Sequence, residues 1–460
     1  MSTPVPEPSA ITTCANRSTE RRWGAAGTGA SALLAVGGFG VGAVPARLSD
    51  SWLHATSTGR AVSYVLCAAG VLGLLVCWWR LKDAGHVLLL RATAAWSAPL
   101  LLTPPLLSRD VYAYAGQAHL VAVGLNPYTH GPVDAPGPLA AEVDDVWGPA
   151  PSPYGPVFLR LASWLVPGEH VILAVVLLRL LAVAGLALLA WSLLRFTDRP
   201  GPAVWLAVAN PLVLLHAVGG AHNDVVMAGL LVAGLAVASR PGCSRLVAGA
   251  ALITVAALVK VPAAAALGFL PLMHPGPRLR GYAAVAGTAL VSGAAVTVAC
   301  NLGWGWLETL GAGNPRRSLL SVSTGAGTLL ANAFGEDAVG AAHSVGLLLA
   351  AACGLLLLIR APRIGPVRAL GLALLAAVVL GPVVQPWYLL WALAPLAAVA
   401  GPRLAAGLAA ASAVLCLLIL PSGRHLIRPP LYGVPVVLAL AAGYAAARLP
   451  ARAEAIDATT

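Results

Sequence analysis

Apolar runs of about 20 residues, each long enough to cross a bilayer as a helix, recur along this chain from Ala25 to Ala446. They leave little room for any other kind of structure. Only 10% of the 460 residues are charged, whereas soluble domains carry about a quarter. With a mean hydropathy of +0.83 the chain cannot be an ordinary soluble domain. Its 49 Gly and 36 Pro agree, because both are better tolerated in membrane helices than in soluble ones. The expected fold class is all-α, a polytopic membrane helical bundle of about 12–14 transmembrane helices.

The spans read from hydropathy are 25–44, 61–79, 87–107, 170–194, 201–218, 224–239, 246–259, 262–274, 282–302, 340–359, 366–384, 387–401, 404–421 and 431–447. Segment 246–274 also reads as one hairpin that does not fully cross. Residues 157–167 read as a short amphipathic helix at the interface. Residues 1–24 are rich in Pro, Ser and Thr and read as a disordered cytoplasmic tail. The first apolar run has a long polar lead and no clear small-x-small site, which favours a retained helix over a signal peptide. The transmembrane domain is expected over 25–448, with a short cytoplasmic tail at 449–460.

Charge supplies the orientation. Most of the 28 Lys and Arg sit in alternate short loops, so the N-terminus is expected inside. Most of the 17 acids then fall outside, in two large outer segments at 108–156 and about 303–339. The net charge of +11 is thus a membrane-orientation signal, not a nucleic-acid footprint. The seven Cys form no CxxC pair and read as small packing residues. The GxGxxG and GxxxxGK[ST] nucleotide loops are absent.

Asp110, in Ser108-Arg109-Asp110-Val111-Tyr112-Ala113-Tyr114, is the strongest candidate for chemistry. A carboxylate at the outer mouth of a helix, beside a low-dielectric bilayer, can act as general base toward a hydroxyl. Pairing with Arg109, or capping a helix, is the structural alternative. The aromatics Tyr112, Tyr114, Tyr128, Trp147 and Tyr154 suit a sugar site, or equally an interfacial belt. His222-Asn223-Asp224 offers donors and acceptors to sugar hydroxyls, or a helix N-cap. His216 and His222 lack a convincing metal spacing, and no metal is expected. Lys260 and the outer arginines Arg316, Arg317, Arg424 and Arg428 suit a lipid phosphate, or snorkel to headgroups. Gln385-Pro386-Trp387-Tyr388 breaks a span and would line an outer cavity. Arg179 lies mid-span and requires a buried partner.

Taken in order, these motifs resemble a known family. Ser108 to Tyr114, Gly124-Leu125-Asn126-Pro127-Tyr128, Pro153-Tyr154-Gly155-Pro156, Asn210-Pro211 with His222-Asn223-Asp224, Lys260-Val261-Pro262 and Gln385-Pro386-Trp387-Tyr388 look like the actinobacterial polyprenol-phosphomannose-dependent α-(1→6)-mannosyltransferases. These are integral-membrane glycosyltransferases of the GT-C type, and the likeness runs from about Arg80 to Ala400. The resemblance implies a mannosyl donor carried on polyprenyl phosphate and a lipid-anchored mannan acceptor, at the outer face of the plasma membrane. It implies Asp110 as the base of an inverting displacement. It implies Lys260 on the donor phosphate, helped by Arg316, Arg317 or Arg424, and no cofactor. Arg109, Tyr112, Tyr114, Asn126, Tyr128, Tyr154, His222, Asn223, Asp224, Trp387 and Tyr388 would contact substrate. One departure stands out. Many GT-C enzymes carry two adjacent acids in this loop, whereas here Arg109 precedes a lone Asp110; the second role passes to Asp224 or to none.

Two other classes compete. A transporter or lipid flippase would place charges or broken helices near the bilayer midplane. A non-catalytic membrane scaffold would not gather acids and aromatics in one outer interval. Among enzymes, the rival is a GT-C transferase for another lipid-linked sugar, such as arabinose or glucose.

Overall fold

A computed structural model of the chain describes residues 10–166, 168–311, 318, 320–423 and 433–448, with side chains from residue 18 onward except at 310 and 311. Among the described residues the elements are helical, with no β-strand. The first half comprises α1 (Ala10–Val41), α2 (Ser57–Arg80), α3 (His86–Leu102), α4 (Asp110–Ala122), α5 (Pro156–Leu165), α6 (Val171–Phe196), α7 (Pro200–Ala207) and α8 (Asp224–Ala238). The second comprises α9 (Cys243–Val259), α10 (Arg278–Cys300), α11 (Val322–Phe334), α12 (Asp337–Ile364), α13 (Pro366–Leu380), α14 (Leu389–Ala397), α15 (Pro402–Leu415) and α16 (Val434–Arg448). The protein is an all-α membrane helical bundle.

Length separates the helices into two kinds. Among the described residues five are long and apolar enough to cross a membrane: Ser18–Val41 within α1, α2, α6, α10 and α12. Helix α7 and Pro211–Gly219, bent by 45° at a short break, make a sixth span if the pair counts as one. The other expected spans are shorter apolar helices, and 262–274 is broken into short turns. Helix α1 begins at Ala10, inside the stretch expected to be a disordered tail. The expected interfacial helix is α5, which buries Val157, Phe158, Leu159 and Ala162 and leaves Trp164 largely exposed.

Helices α10 and α12 expose long aliphatic faces, including Leu279, Leu290, Val291, Leu347, Leu348 and Ile359. Patches of that size are untenable in water and are covered by lipid. Lipid tails are as apolar as leucine, so helix association here rests on close packing. Helices α6 and α8 meet through Gly185 and Gly229: a Cβ on Gly185 would lie 2.8 Å from Val226 backbone atoms.

The bend in the sixth span follows from its residues. Pro211 has no N–H to continue the helix. Asn210 satisfies the freed groups, with Oδ1 accepting from Leu212 N at 3.0 Å and Nδ2 donating to Leu206 O and Ser412 Oγ, both at 2.9 Å.

Arg179, mid-span in α6, has no carboxylate partner among the described residues. It donates instead to three carbonyls, Leu101 O, Thr103 O and Gly219 O, each at 2.9 Å. The first two lie where α3 ends, and the third closes the bent span. One buried guanidinium therefore ties together the two approaches that lead to Asp110 and to His222. Arg179→Met takes this donor from Leu101 O and Thr103 O and leaves Gly219 O with Leu106 N alone, so a loss of about 3 kcal/mol is expected, with Arg179→Lys intermediate. Thermal melting of the purified protein in detergent checks the order.

Candidate active site

Three segments far apart in sequence converge at one end of the bundle: the start of α4, the start of α8 and the end of α9. Two of the approaches are strained. Leu107 (φ 63°) and Ala221 (φ 57°) adopt the left-handed conformation that side chains other than glycine rarely take. Leu107 N donates to Pro421 O at 2.8 Å and Leu106 N to Gly219 O at 3.1 Å. The chain is thus pinned immediately before Asp110 and immediately before His222.

Asp110 is the first residue of α4, and its backbone N–H donates to Ser108 Oγ at 3.0 Å. Its side chain keeps 20% of its surface open. It does not pair with Arg109, whose guanidinium turns to Glu142, donating to the carbonyl at 3.0 Å and lying 3.5 Å from Oε2. Burial pushes the Asp110 carboxyl up to about 6. The Lys260 ammonium and the Ser108 hydroxyl pull it down, and Asp224 and Asp144 push it further up. A carboxylate titrating there is ionised at neutral pH yet basic enough to take a proton.

Beside it stands a buried ion pair. Lys260 Nζ donates to both oxygens of Asp224, at 2.7 and 2.9 Å. Trp391 Nε1 donates to the same carboxylate at 2.6 Å. The ammonium is enclosed by aromatic faces, 4.7 Å from Tyr388, 5.5 Å from Trp391 and 5.7 Å from Tyr154. Such faces stabilise a desolvated cation. Tyr154 reaches this place because Gly155 crosses the end of α9, where any Cβ would fall on the Leu258 carbonyl.

His222 sits behind Asp110. Its Nδ1 shares a hydrogen bond with the Tyr114 hydroxyl at 3.2 Å and lies 3.8 Å from Asp110 Oδ2, beyond hydrogen-bond reach. Its ring stacks on Trp387 at 3.8 Å. Burial, then the nearby His216 and Lys260, hold the imidazole well below its ordinary range, so it is neutral. Asn223 is buried, and neither side-chain polar atom has a hydrogen-bond partner among the described residues. It makes no side-chain cap, so the helix-capping alternative is not what holds it there.

Of the residues singled out from sequence, Asp110, Tyr114, Tyr154, His222, Asn223, Asp224, Lys260, Trp387 and Tyr388 belong to this cluster. Others lie outside it. Arg109 braces the loop at Glu142 and stacks over Tyr112 at 5.2 Å. The Tyr112 hydroxyl donates to Ala43 O at 2.6 Å, fixing α4 to the segment after α1. Asn126 accepts from Tyr128 N at 2.9 Å, near the far end of α4, with Tyr128 buried beside Gly305. Arg316, Arg317, Arg424 and Arg428 lie outside the described residues. Sequence reading missed Trp391, although it stands one helical turn past Trp387. It also missed Glu142 as the partner of Arg109. Among the described residues no group of three or more His, Cys, Asp or Glu is placed to hold a metal ion.

Comparison with known proteins places the chain in a family. Residues 24–275 match the model of the alpha-(1->6)-mannopyranosyltransferase N-terminal domain, and residues 317–449 match the MptB C-terminal domain. The chain is 34% identical to alpha-(1->6)-mannopyranosyltransferase A of Mycobacterium tuberculosis, over 93% of this chain and 90% of that protein. It is 33% identical to a probable alpha-(1->6)-mannopyranosyltransferase of Mycolicibacterium smegmatis, over 82% and 78%. It is 32% identical to alpha-(1->6)-mannopyranosyltransferase A of Corynebacterium glutamicum, over 88% and 93%. No solved structure matches the chain. The likeness read from the ordered motifs thus extends over both halves of the protein, which belongs to the actinobacterial alpha-(1->6)-mannopyranosyltransferase family and is a membrane mannosyltransferase.

Proposed function

We propose that the protein transfers mannose from polyprenyl-phosphomannose to a lipid-anchored mannan, forming an α-(1→6) linkage at the outer face of the plasma membrane. The observation that supports this most is the pairing of a partly open, elevated-pKa carboxyl, Asp110, with a part-buried ammonium, Lys260, in one aromatic-walled site. Asp110 takes the proton of the acceptor 6-hydroxyl as that oxygen attacks the anomeric carbon. The bond from that carbon to the phosphate oxygen breaks, and polyprenyl phosphate leaves. Displacement in one step inverts the anomeric centre, so an α product requires a β-linked donor.

Lys260 offers its charge to the departing phosphate, while Asp224 and Trp391 hold the ammonium in place. Arg316, Arg317 and Arg424 are candidates to assist. Tyr154, Trp387 and Tyr388 supply flat faces for a sugar ring. Outside the cell no nucleotide-sugar pool exists, so an outward-facing transferase needs a donor delivered within the membrane.

The reading carries a pH signature. Because Asp110 acts only when ionised, kcat/KM should rise tenfold per pH unit below about 6 and level off above it. The check is transfer from polyprenyl-phosphomannose between pH 4.5 and 8. A rate that stays flat through that range removes Asp110 as the base.

A further inference from the structure

A second concave site lies at the opposite end of α4. A cavity of about 510 Å³ is formed by the turn after α4 and the turn after α10, with Asn126, Arg160 and Asn301 as its polar side chains. Its walls differ from those of the similarly large cavity between α11 and α12, which is lined by aliphatic and small residues such as Val322, Leu330 and Val345. Two of its corners, Gly124 (φ 83°) and Gly303 (φ 74°), are left-handed, and so is Asn301 (φ 49°). Close by in both segments, Tyr128 Oη and Trp306 Nε1 are buried without hydrogen-bond partners among the described residues.

The charge of this cavity limits what fits. Among the described residues Arg160 is its one cation, and its guanidinium is committed: Nε donates to Cys300 O at 2.7 Å and NH2 to Asn301 O at 3.3 Å. Those carbonyls form the negative end of α10, so the positive charge is offset in place. Asn126 Oδ1 is occupied by Tyr128 N, so the amide can serve a ligand chiefly as a donor. A neutral, hydroxyl-rich ligand suits these donors and acceptors better than a phosphate. Trp304, next to Gly303, is 50% exposed and offers a face for a sugar ring.

The cavity is coupled to the active site by covalent and hydrogen-bonded paths. Helix α4 has 13 residues, so its two ends, and hence Asp110 and the cavity, are separated by about 20 Å. Pro127 O accepts from Ser152 N at 2.8 Å, and two residues further on Tyr154 lies against Lys260. That separation spans several hexose units. We infer that this cavity is a distal subsite for the neutral oligosaccharide acceptor, gripping sugars several units away from the reacting hydroxyl. The inference rests on the function proposed above and specifies its acceptor as an extended chain.

Two substitutions test it with little backbone disturbance. Asn126→Asp keeps the acceptor for Tyr128 N and removes the amide donor. Asn301→Gly keeps the left-handed turn and removes the side chain. In transfer assays with α-(1→6)-linked mannobiose and mannotetraose, wild type should show a lower KM for the longer acceptor. The double variant should lose about tenfold of that advantage, the worth of one or two hydrogen bonds. An unchanged ratio of the two KM values overturns the subsite. A second measurement avoids turnover: saturation-transfer NMR of mannotetraose on Asp110→Asn protein should show binding that Asn126→Asp/Asn301→Gly abolishes, and binding that persists in that background also overturns it. Failure of wild type to use polyprenyl-phosphomannose would sink the donor reading while leaving this binding result to stand or fall separately.

Discussion

Asp110→Asn should lower mannosyl transfer by about 10³-fold, the range expected for loss of a positioned general base, without lowering the melting temperature. Asparagine matches aspartate in shape, so the bond from its backbone N–H to Ser108 is unaffected. The stability expectation follows from linkage. Burial raises the folded-state pKa of Asp110 to about 6, above the unfolded value of about 4. Folding therefore disfavours the ionised carboxyl, and the penalty develops as pH rises from about 4 to 6 and persists above. Asparagine removes it, so the variant should be at least as stable as wild type at pH 7.5, with the difference vanishing near pH 4. A variant that is both inactive and unstable would make Asp110 a structural residue, and the base would have to be sought at Asp224.

Lys260→Met should have the largest effect on stability. It leaves the Asp224 carboxylate, 1% exposed, with only the Trp391 indole as partner among the described residues. Removing one member of a buried ion pair costs about 3–5 kcal/mol, mostly because the remaining charge is uncompensated. Adding Asp224→Asn removes that charge, so the double variant Lys260→Met/Asp224→Asn should recover most of the lost stability. It should not recover activity, since the ammonium opposite the donor phosphate is still missing. Melting curves and transfer rates for the two single variants and the double variant separate these roles. Recovery of both properties would show that Lys260 serves only to neutralise Asp224.

What the sequence disclosed, and what it hid, divides along physical lines. Asp110, Asp224 and Lys260 were legible because a charge at the edge of an apolar run is expensive and demands an explanation. Their convergence was suggested by placing all three at one membrane face. Trp391 was hidden because it lies inside an apolar run, where tryptophan reads as packing; only its indole N–H reveals the role. Arg109 was read toward substrate because its partner Glu142 is 33 residues away and only a folded loop brings them together. Tyr112 and Tyr114 stand two residues apart in one short motif, yet one braces Ala43 and the other contacts His222. Arg179 announced the need for a partner but not its nature, because carbonyls at helix ends carry no sequence signature. Hydropathy also extended several helices beyond their folded length. Proline and glycine at 210–220 and 381–386 break the backbone without lowering the apolar count.

The most direct measurement is transfer of labelled mannose by the purified protein in lipid nanodiscs, offered polyprenyl-phosphomannose in one reaction and GDP-mannose in the other, with an α-(1→6)-mannoside acceptor. Transfer from the lipid-linked donor alone, yielding an α-(1→6) product, is the expected result. Transfer from the nucleotide donor, or none from the lipid-linked one, would contradict the reading of Asp110 and Lys260 as the machinery of a lipid-donor transferase.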